Sequence, residues 1–486
     1  MKNEKPKIKS EHFFKFFMCP HWIWYDLYED KENHQHIPPL MEMLYRGELQ
    51  DKKGSLKKWQ YEEIQKELFQ DLEEAHFATL ELMKQGKNIY RGVLMHENWV
   101  GEPDFLEARP SSELPNGLKS NFGDWYYAAY DIKNDPEIKN EYKFPLVFSS
   151  LILERIQGVM PPESFLVNAE GEVKSFLNEP YIEEFQLTCQ TIEKILEGEK
   201  PAPFLKSGCK KTPWYSVCSS ETKGCNDISL IYHISQGEQR RLYDVGIKTV
   251  EQLASTDINK LQEKLEDWEF DKLIRLQNQA QALIKQEPLI IRKYPFAEVA
   301  NEIYFDVESD PTQSIDYFLG ILTRNKNGEK YKFFLAKSRE EEKTIWQDFL
   351  KFLEGLEDFV IYHYGYYERY VFNRLYKKYG APIELVRKFE DHTVDLHKVI
   401  ISSVVLPLYF YSLKDVAKYL GFSWNSEDAS GAESVLWYNE WLKSGDDKIM
   451  KKLTEYNEDD VRATLFVKKW LEQAKPTTQK MKLEEE

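Results

Sequence analysis

Hydrophobic and polar positions alternate along this chain with two different periods. "EIYFDVESD" (302–310) runs strand-favouring residues into two acids, and "YFLGILTR" and "KYKFFLA" continue the strand character. A further strand, "DFVIYHYG", follows a helical stretch, so the region from about Tyr294 reads as a β-meander leading into α/β alternation. Earlier, "LKKWQYEEIQKELFQDLEEAHFATLELMKQG" (56–86) predicts one helix stopped by Gly86. "NIYRGVLMHENWVGEPDFLEAR" predicts a β-hairpin, and "WYYAAYDIK" a further strand. "PLVFSSLILERIQG" has helical periodicity and ends at Gly158, and "LTEYNEDDVRATLFVKKWL" predicts a late helix. The fold class is therefore α/β, with several domains. The expected divisions are 1–200, a connector over 201–290 opened by Pro201, Pro203 and Pro213, a domain over 294–473, and a disordered tail over 474–486. No internal repeat is visible.

Length agrees, because 486 residues exceed one ordinary domain. Hydrophobic residues at 42% and aromatics at 14% suffice for real cores, which excludes a disordered chain. The net charge of -17 excludes a protein that coats nucleic acid by electrostatics alone, but it leaves room for a nuclease with acidic metal sites. Five cysteines make an odd count unlike a disulfide framework. The basic start, "MKNEKPKIKSEHFFKFFMCP", has its apolar run broken by Lys15 and lacks a cleavage site, so no signal peptide is expected. The most apolar stretch, "VIISSVVLPLYFYSL", is shorter than the ~20 residues a membrane span needs and contains Pro407. A cytosolic location without membrane contact is expected.

Asp306 and Glu308 stand one residue apart on a strand, so their side chains share a face. A strand running into solvent, or a pair neutralised by Lys or Arg, would account for them. So would a divalent metal. Two later features can complete a metal site: "VIYHYGYYERYVFNRL", which puts Glu368 at a helix start, and the late helix, in which Tyr456 and Asp460 are four apart on one face. Two ions ~4 Å apart activate a water and stabilise a leaving oxygen in phosphodiester hydrolysis, and such a site needs about four carboxylates from separate elements. Asp306, Glu308, Glu368 and Asp460 supply them, with Asp459 as a neighbouring competitor for Asp460. His392 and His397 read as loop or packing histidines.

"FDVE", "HYGYYE" and "YNEDDVRAT" resemble the motifs of DEDD-type 3'–5' exonucleases in the RNase H-like superfamily, in the subgroup with a Tyr four residues before the last Asp. "YSLKDVAKYLGF" fits a helix those enzymes carry before the last motif. The resemblance implies two Mg²⁺ or Mn²⁺ ions on the four carboxylates, with the Tyr456 hydroxyl positioning the attacking water. The third position is usually Asp in that family and is Glu368 here, one methylene longer.

A second candidate lies upstream. "VGEPDFLEAR" carries Asp104, and "YDIK" carries Asp131 and Lys133. Two acids with a lysine on one face resemble the PD-(D/E)xK nucleases of RecB type. With "CPHWIWYDLY", "RIQGVMPPESFLV" and the later cysteines, nearly the whole chain resembles RecB-family nucleases that carry a C-terminal RNase H-like domain. Their His corresponds to Gln50, and their helical Gln and Tyr to Pro145 and Ser149. Two readings stand open: a metal-binding trio, or strand-end residues in a scaffold that no longer cuts.

"CKKTPWYSVCSSETKGC" gathers Cys209, Cys218 and Cys225, with Cys19 far upstream. The RecB resemblance implies a [4Fe-4S] cluster on one early and three late cysteines. Thiolates also suit zinc, and ordinary reduced thiols are the third reading. The family's second late cysteine is Thr212 here, so Cys225 would have to replace it. Cys189 is expected in the core. "EQRRLYDVGIKTVEQLAS" has a helix-hairpin-helix pattern, with Gly246 in the turn and Lys248 beside the next helix start, where backbone N–H groups can take a phosphate. Residues 201–248 carry seven Lys and Arg against four Asp and Glu. A packing module is the alternative. A Gly-rich nucleotide loop is absent. The chain is expected to be a metal-dependent nuclease acting on nucleic acid, or else a binding scaffold of degenerate nuclease folds.

Overall fold

A computed structural model describes residues 6–133, 138–426 and 430–476. The expected tail lies outside these beyond residue 476. Contacts divide the chain into two units, Met1–Glu221 with Pro311–Ser314, and Thr222–Asp310 with Ile315–Glu486. Residues 201–221 thus go with the first unit and 222–290 with the second. No helix among the described residues is long and apolar enough to cross a membrane.

The first unit is built on a six-stranded sheet in the order Glu62–Glu63, Ile89–Tyr90, Phe105–Pro110, Trp125–Ile132, Glu163–Val167, Val173–Leu177. Phe105–Pro110 pairs antiparallel with Trp125–Ile132, which pairs parallel with Glu163–Val167 through a helical crossover over Asn140–Gln157. Parallel neighbours need such a crossover. Leu49, Tyr90, Phe105, Tyr126, Ala128, Tyr130 and Phe165 form a core on one face. Phe13 stacks between Phe148 and Phe185, tying the N-terminal helix Ser10–Met18 to the crossover helix.

One expectation for this unit fails. The helix predicted over 56–86 exists only as Leu72–Lys84. Asp71 is extended and its carboxylate accepts from the N–H groups of Glu73 and Glu74, an N-cap that starts the helix there. Upstream, Glu62–Glu63 joins the sheet edge instead, because pairing with Ile89–Tyr90 supplies the backbone partners that a charged, weakly amphipathic helix would have made alone. Gly86 does end the helix, with φ +66°.

The second unit carries a five-stranded sheet in the order Gly328–Leu335, Ile315–Asn325, Asn301–Asp310, Phe359–His363, Thr393–Asp395. The first three are an antiparallel meander, and the last two add in parallel. The 27-residue helix Asp447–Gln473 packs its Val461, Leu465 and Leu471 into a core with Tyr304, Leu322, Tyr362 and Leu396. Ahead of the sheet, helices Gln236–Asp244 and Val250–Ser255 flank Gly246, whose φ of +90° makes the tight turn that glycine permits without strain.

Candidate metal centre

The strand Asn301–Asp310 enters the sheet centre between an antiparallel and a parallel neighbour, so Ile303, Tyr304 and Phe305 are buried. The same strand brings Asp306 and Glu308 to one face, and a register shift follows directly after Glu308. Glu308 is only 6% exposed. A solvated strand end therefore does not explain the pair.

The long helix supplies Asp460 from the other side. One ligand oxygen each of Asp306, Glu308 and Asp460 lies within 4.8 Å of the other two. A neutral donor holds one oxygen of each acid. Asn457 Nδ2 donates to Asp306 at 2.7 Å, the Ser434 hydroxyl to Glu308 at 2.6 Å, and Trp424 Nε1 to Asp460 at 2.7 Å. Tyr456 also hydrogen-bonds Asp460. Glu368 stands in the first turn of helix Tyr367–Tyr379, where the helix dipole favours an acid. It is buried beside the trio, close enough for its charge to act on Asp306 and Glu308. Among the described residues its Oε2 has no hydrogen-bond partner, and His363 Nδ1 lies 3.3 Å away.

The electrostatics are one-sided. Burial, then the neighbouring carboxylates, pushes Asp306 well above the usual carboxylate range. The same causes push Glu308 up to about 8. Burial raises Asp460 to about 6 against the hydrogen bonds from Trp424 and Tyr456 and the nearby charge of Lys414. Among the described residues no Lys or Arg forms an ion pair with any of the four acids. Elsewhere this domain does pair two of its buried acids with cations. Asp316, fully buried, is paired with Arg374, and Glu342 with Lys378 and the Tyr379 hydroxyl. Four carboxylates gathered in low dielectric, with only Lys414 acting on one of them, repel strongly. A divalent cation removes that repulsion, and the donor set of hard oxygens fits Mg²⁺ or Mn²⁺.

Asp460, and not its neighbour Asp459, faces Asp306 and Glu308. Asp459 turns away and accepts from Asn425 through its backbone N–H at 2.7 Å and side chain at 3.0 Å. His392 and His397 are satisfied locally, by the Phe359 carbonyl and the Tyr232 hydroxyl.

Asn457, Ser434 and Trp424 were not visible in the sequence as site residues. The only local signal was Asn457 lying beside Tyr456 on the same helix. Its place depends on Gly320, which pairs opposite Asp306 and leaves the room its amide fills. A Cβ on Gly320 would meet Asn457 Oδ1 at 1.6 Å. Gly320→Ala is therefore expected to destabilise the domain by about 1–3 kcal/mol through overpacking and to weaken Mn²⁺ binding. Denaturant unfolding and Mn²⁺ titration check this, and unchanged values in both would refute it.

The upstream trio looks different. Asp104 and Asp131 do adjoin, with the Asp104 N–H on Asp131 Oδ1 at 3.2 Å. However, Lys52 Nζ sits on Asp104 Oδ1 at 2.8 Å, and the Ile132 N–H takes Oδ2 at 2.8 Å. Burial raises the Asp104 carboxyl, but Lys52 and then Lys133 outweigh it and leave it below its usual value. Asp131, pushed up by burial and by Asp104, rises to about 6. Lys133 lies 3.9 Å from Glu48. A protein ammonium thus already pairs with Asp104. Lys52 and Glu48 were missed in the sequence because nothing local distinguishes them from surface charges.

The cysteines also depart from expectation. Cys19 and Cys218 approach to 3.7 Å, and Cys209 is buried close enough to act on Cys19. Cys225 is exposed, and its thiol donates to the Thr222 carbonyl at 3.4 Å. The ligand atoms within 4.8 Å of one another are those of Cys19, His21 and Cys218, with neither Cys209 nor Cys225 among them. Cys189 is buried, as expected of a core residue.

At the Gly246 hairpin, Gln252 Oε1 accepts from the Lys248 and Thr249 N–H groups, and the Thr249 hydroxyl accepts from the Gln252 N–H. The Val250 N–H goes to the Asn226 carbonyl. The donors expected to meet a phosphate are thus largely engaged in a capping box. That favours the packing reading of Gly246 and Lys248.

A search of curated proteins finds no match to this chain. Residues 303–472 match the family model of the RNase H superfamily, and these residues include the whole carboxylate set, Asp306, Glu308, Glu368 and Asp460. The C-terminal part of the chain is thus an RNase H-like domain, of the kind that acts on the phosphodiester bonds of nucleic acid.

Proposed function

We propose that this protein is a metal-dependent 3'–5' exonuclease whose C-terminal domain cuts nucleic acid. The observation that carries this reading is the set of four gathered carboxylates without an ion pair to Lys or Arg among the described residues, in a domain that pairs its buried Asp316 and Glu342 with Arg374 and Lys378. Asp306, Glu308, Glu368 and Asp460 would hold two Mg²⁺ or Mn²⁺ ions, which supply an activated water and charge stabilisation at the leaving 3' oxygen. Asn457, Ser434 and Trp424 keep the acids aimed inward by occupying one oxygen of each. Burial, and then the charge of Asp460, drives the Tyr456 hydroxyl well above its ordinary range, so it stays protonated. A protonated phenol beside Asp460 can orient a water by donating or accepting, and has no role as a base.

The upstream domain is read as a RecB-like scaffold that does not cut, because Lys52 neutralises Asp104. Asp104→Ala is expected to leave the hydrolysis rate within about twofold while costing stability through the orphaned Lys52. Loss of cleavage in that variant, at unchanged melting temperature, would move the active site to the first unit.

The direct test uses single-stranded DNA and RNA labelled at the 5' end, incubated with the full chain in Mn²⁺. A ladder of shortening labelled products indicates 3'–5' exonuclease action and identifies the nucleic acid. Immediate release of labelled mononucleotide indicates the opposite polarity. Binding without cleavage of either would favour the scaffold reading for the whole chain.

A further inference from the structure

The first unit contains a second gathering of ligand atoms, unrelated to the carboxylates. Cys19 closes helix Ser10–Met18, and His21 precedes helix Trp22–Tyr28. Cys209 lies in a turn over Ser207–Lys211 and Cys218 in helix Tyr215–Gly224, nearly 200 residues later in sequence. All four side chains are buried, at 0–2% exposure. The Cys19 and Cys218 sulfurs are 3.7 Å apart, and His21 Nδ1 is 4.0 Å from Cys218 Sγ. Cys19, His21 and Cys218 each offer a ligand atom within 4.8 Å of the other two. The Cys209 thiol donates to the Phe204 carbonyl at 3.8 Å and is buried close enough to act on Cys19 and His21.

His21 is set up as a ligand. Its Nε2 lies 3.1 Å from the Pro201 carbonyl, which can only accept. Nε2 therefore carries the proton, and Nδ1 presents its lone pair to the sulfurs. Metal-bound imidazoles are commonly fixed in this way by a carbonyl on the far nitrogen.

We propose that Cys19, His21, Cys209 and Cys218 form a structural site for one zinc ion. Tetrahedral zinc with bonds of about 2.3 Å to sulfur and 2.0–2.1 Å to nitrogen spaces its ligands by about 3.8 Å between sulfurs and about 3.6 Å between sulfur and nitrogen. The observed 3.7 and 4.0 Å fit that edge with little movement. A four-iron cluster fits poorly. It puts each thiolate on its own iron at a corner of the cube, which spreads the sulfurs well beyond a single ion's coordination edge. The fourth cysteine such a cluster needs here would be Cys225, and that residue is exposed, with its thiol on the Thr222 carbonyl, whereas Cys209 is buried. Zinc would fasten the N-terminal helix pair to the segment around Cys209 and Cys218, a cross-link between distant parts of the chain.

The test is the metal content of the full chain, purified without oxygen or chelator. About one zinc per chain and little iron is expected, retained in Cys225→Ser and lost in Cys209→Ser. Iron with visible cluster absorbance overturns the proposal, as does a preparation free of both metals or a Cys225→Ser variant that loses zinc. Should Cys209→Ser fail to fold, cobalt exchanged into the wild type gives the second measurement. Tetrahedral d–d bands with thiolate charge-transfer absorption are expected, shifted towards a four-sulfur spectrum in His21→Cys. A His21→Cys spectrum identical to wild type removes His21 from the site and overturns the assignment.

Discussion

Asp306→Asn is expected to lower Mn²⁺-dependent hydrolysis of labelled nucleic acid about a thousandfold or more, equivalent to roughly 4 kcal/mol of transition-state stabilisation. Asp306 sits where the sheet strand and the long helix converge; the charge of Glu308 acts on it, and its own acts on Tyr456. An amide in its place keeps the shape and can still meet Asn457 through its carbonyl oxygen, but it removes one negative charge and an anionic ligand. Asp460→Asn should behave alike, whereas Asp459→Asn should retain most activity, since Asp459 is engaged with Asn425. Full activity in Asp306→Asn, with the fold intact by circular dichroism, would place catalysis elsewhere.

The second large effect is on stability. Glu308 is raised from 4.5 to about 8, and Asp460 from 3.8 to about 6, and these coupled acids share their protons as a set. A folded-state value above the unfolded one means the metal-free native protein binds more protons than the unfolded chain between about pH 4 and pH 8. Stability must then fall as pH rises through that window. One pKa unit corresponds to about 1.4 kcal/mol. Allowing for relaxation and water entry, about 2 kcal/mol is expected between pH 5 and 8, or roughly 4–8 °C in the melting of a domain this size. Mn²⁺ should restore most of it at pH 8 and little at pH 5, because binding displaces protons. Glu308→Gln should melt higher than wild type at pH 8 without metal and lose most of the Mn²⁺ response. Scanning calorimetry at the two pH values, with and without Mn²⁺, checks this. Metal-free stability that rises with pH, or a wild type indifferent to Mn²⁺, would contradict the mutual repulsion on which the site rests.

The two acidic sites differ through tertiary placement of lysine. Both present adjoining carboxylates, Asp104 with Asp131 and Asp306 with Glu308. In the first unit, Lys52 lies on Asp104. In the second, the donors on the acids are an amide, a hydroxyl and an indole, which orient without cancelling charge. The charge left uncancelled is what a metal can use, and the family match falls on that unit.

Strand alternation through Ile303–Glu308, the meander that follows it and the four-residue step from Tyr456 to Asp460 were legible in the sequence, because each is a local period set by backbone geometry. Those periods put the carboxylates on the correct faces. The start of the helix at Leu72 was not legible, since a cap and a sheet-edge pairing overrode a weak helical pattern. Neither were Ser434 and Trp424 at the acids, Lys52 on Asp104, or His21 in place of Cys225 beside the cysteines. Each is a single contact between residues tens to hundreds of positions apart, and no periodicity records which distant side chain fills a buried gap. Local sequence determined which groups face inward; packing alone decided which of them met a cation from the protein and which were left for a metal.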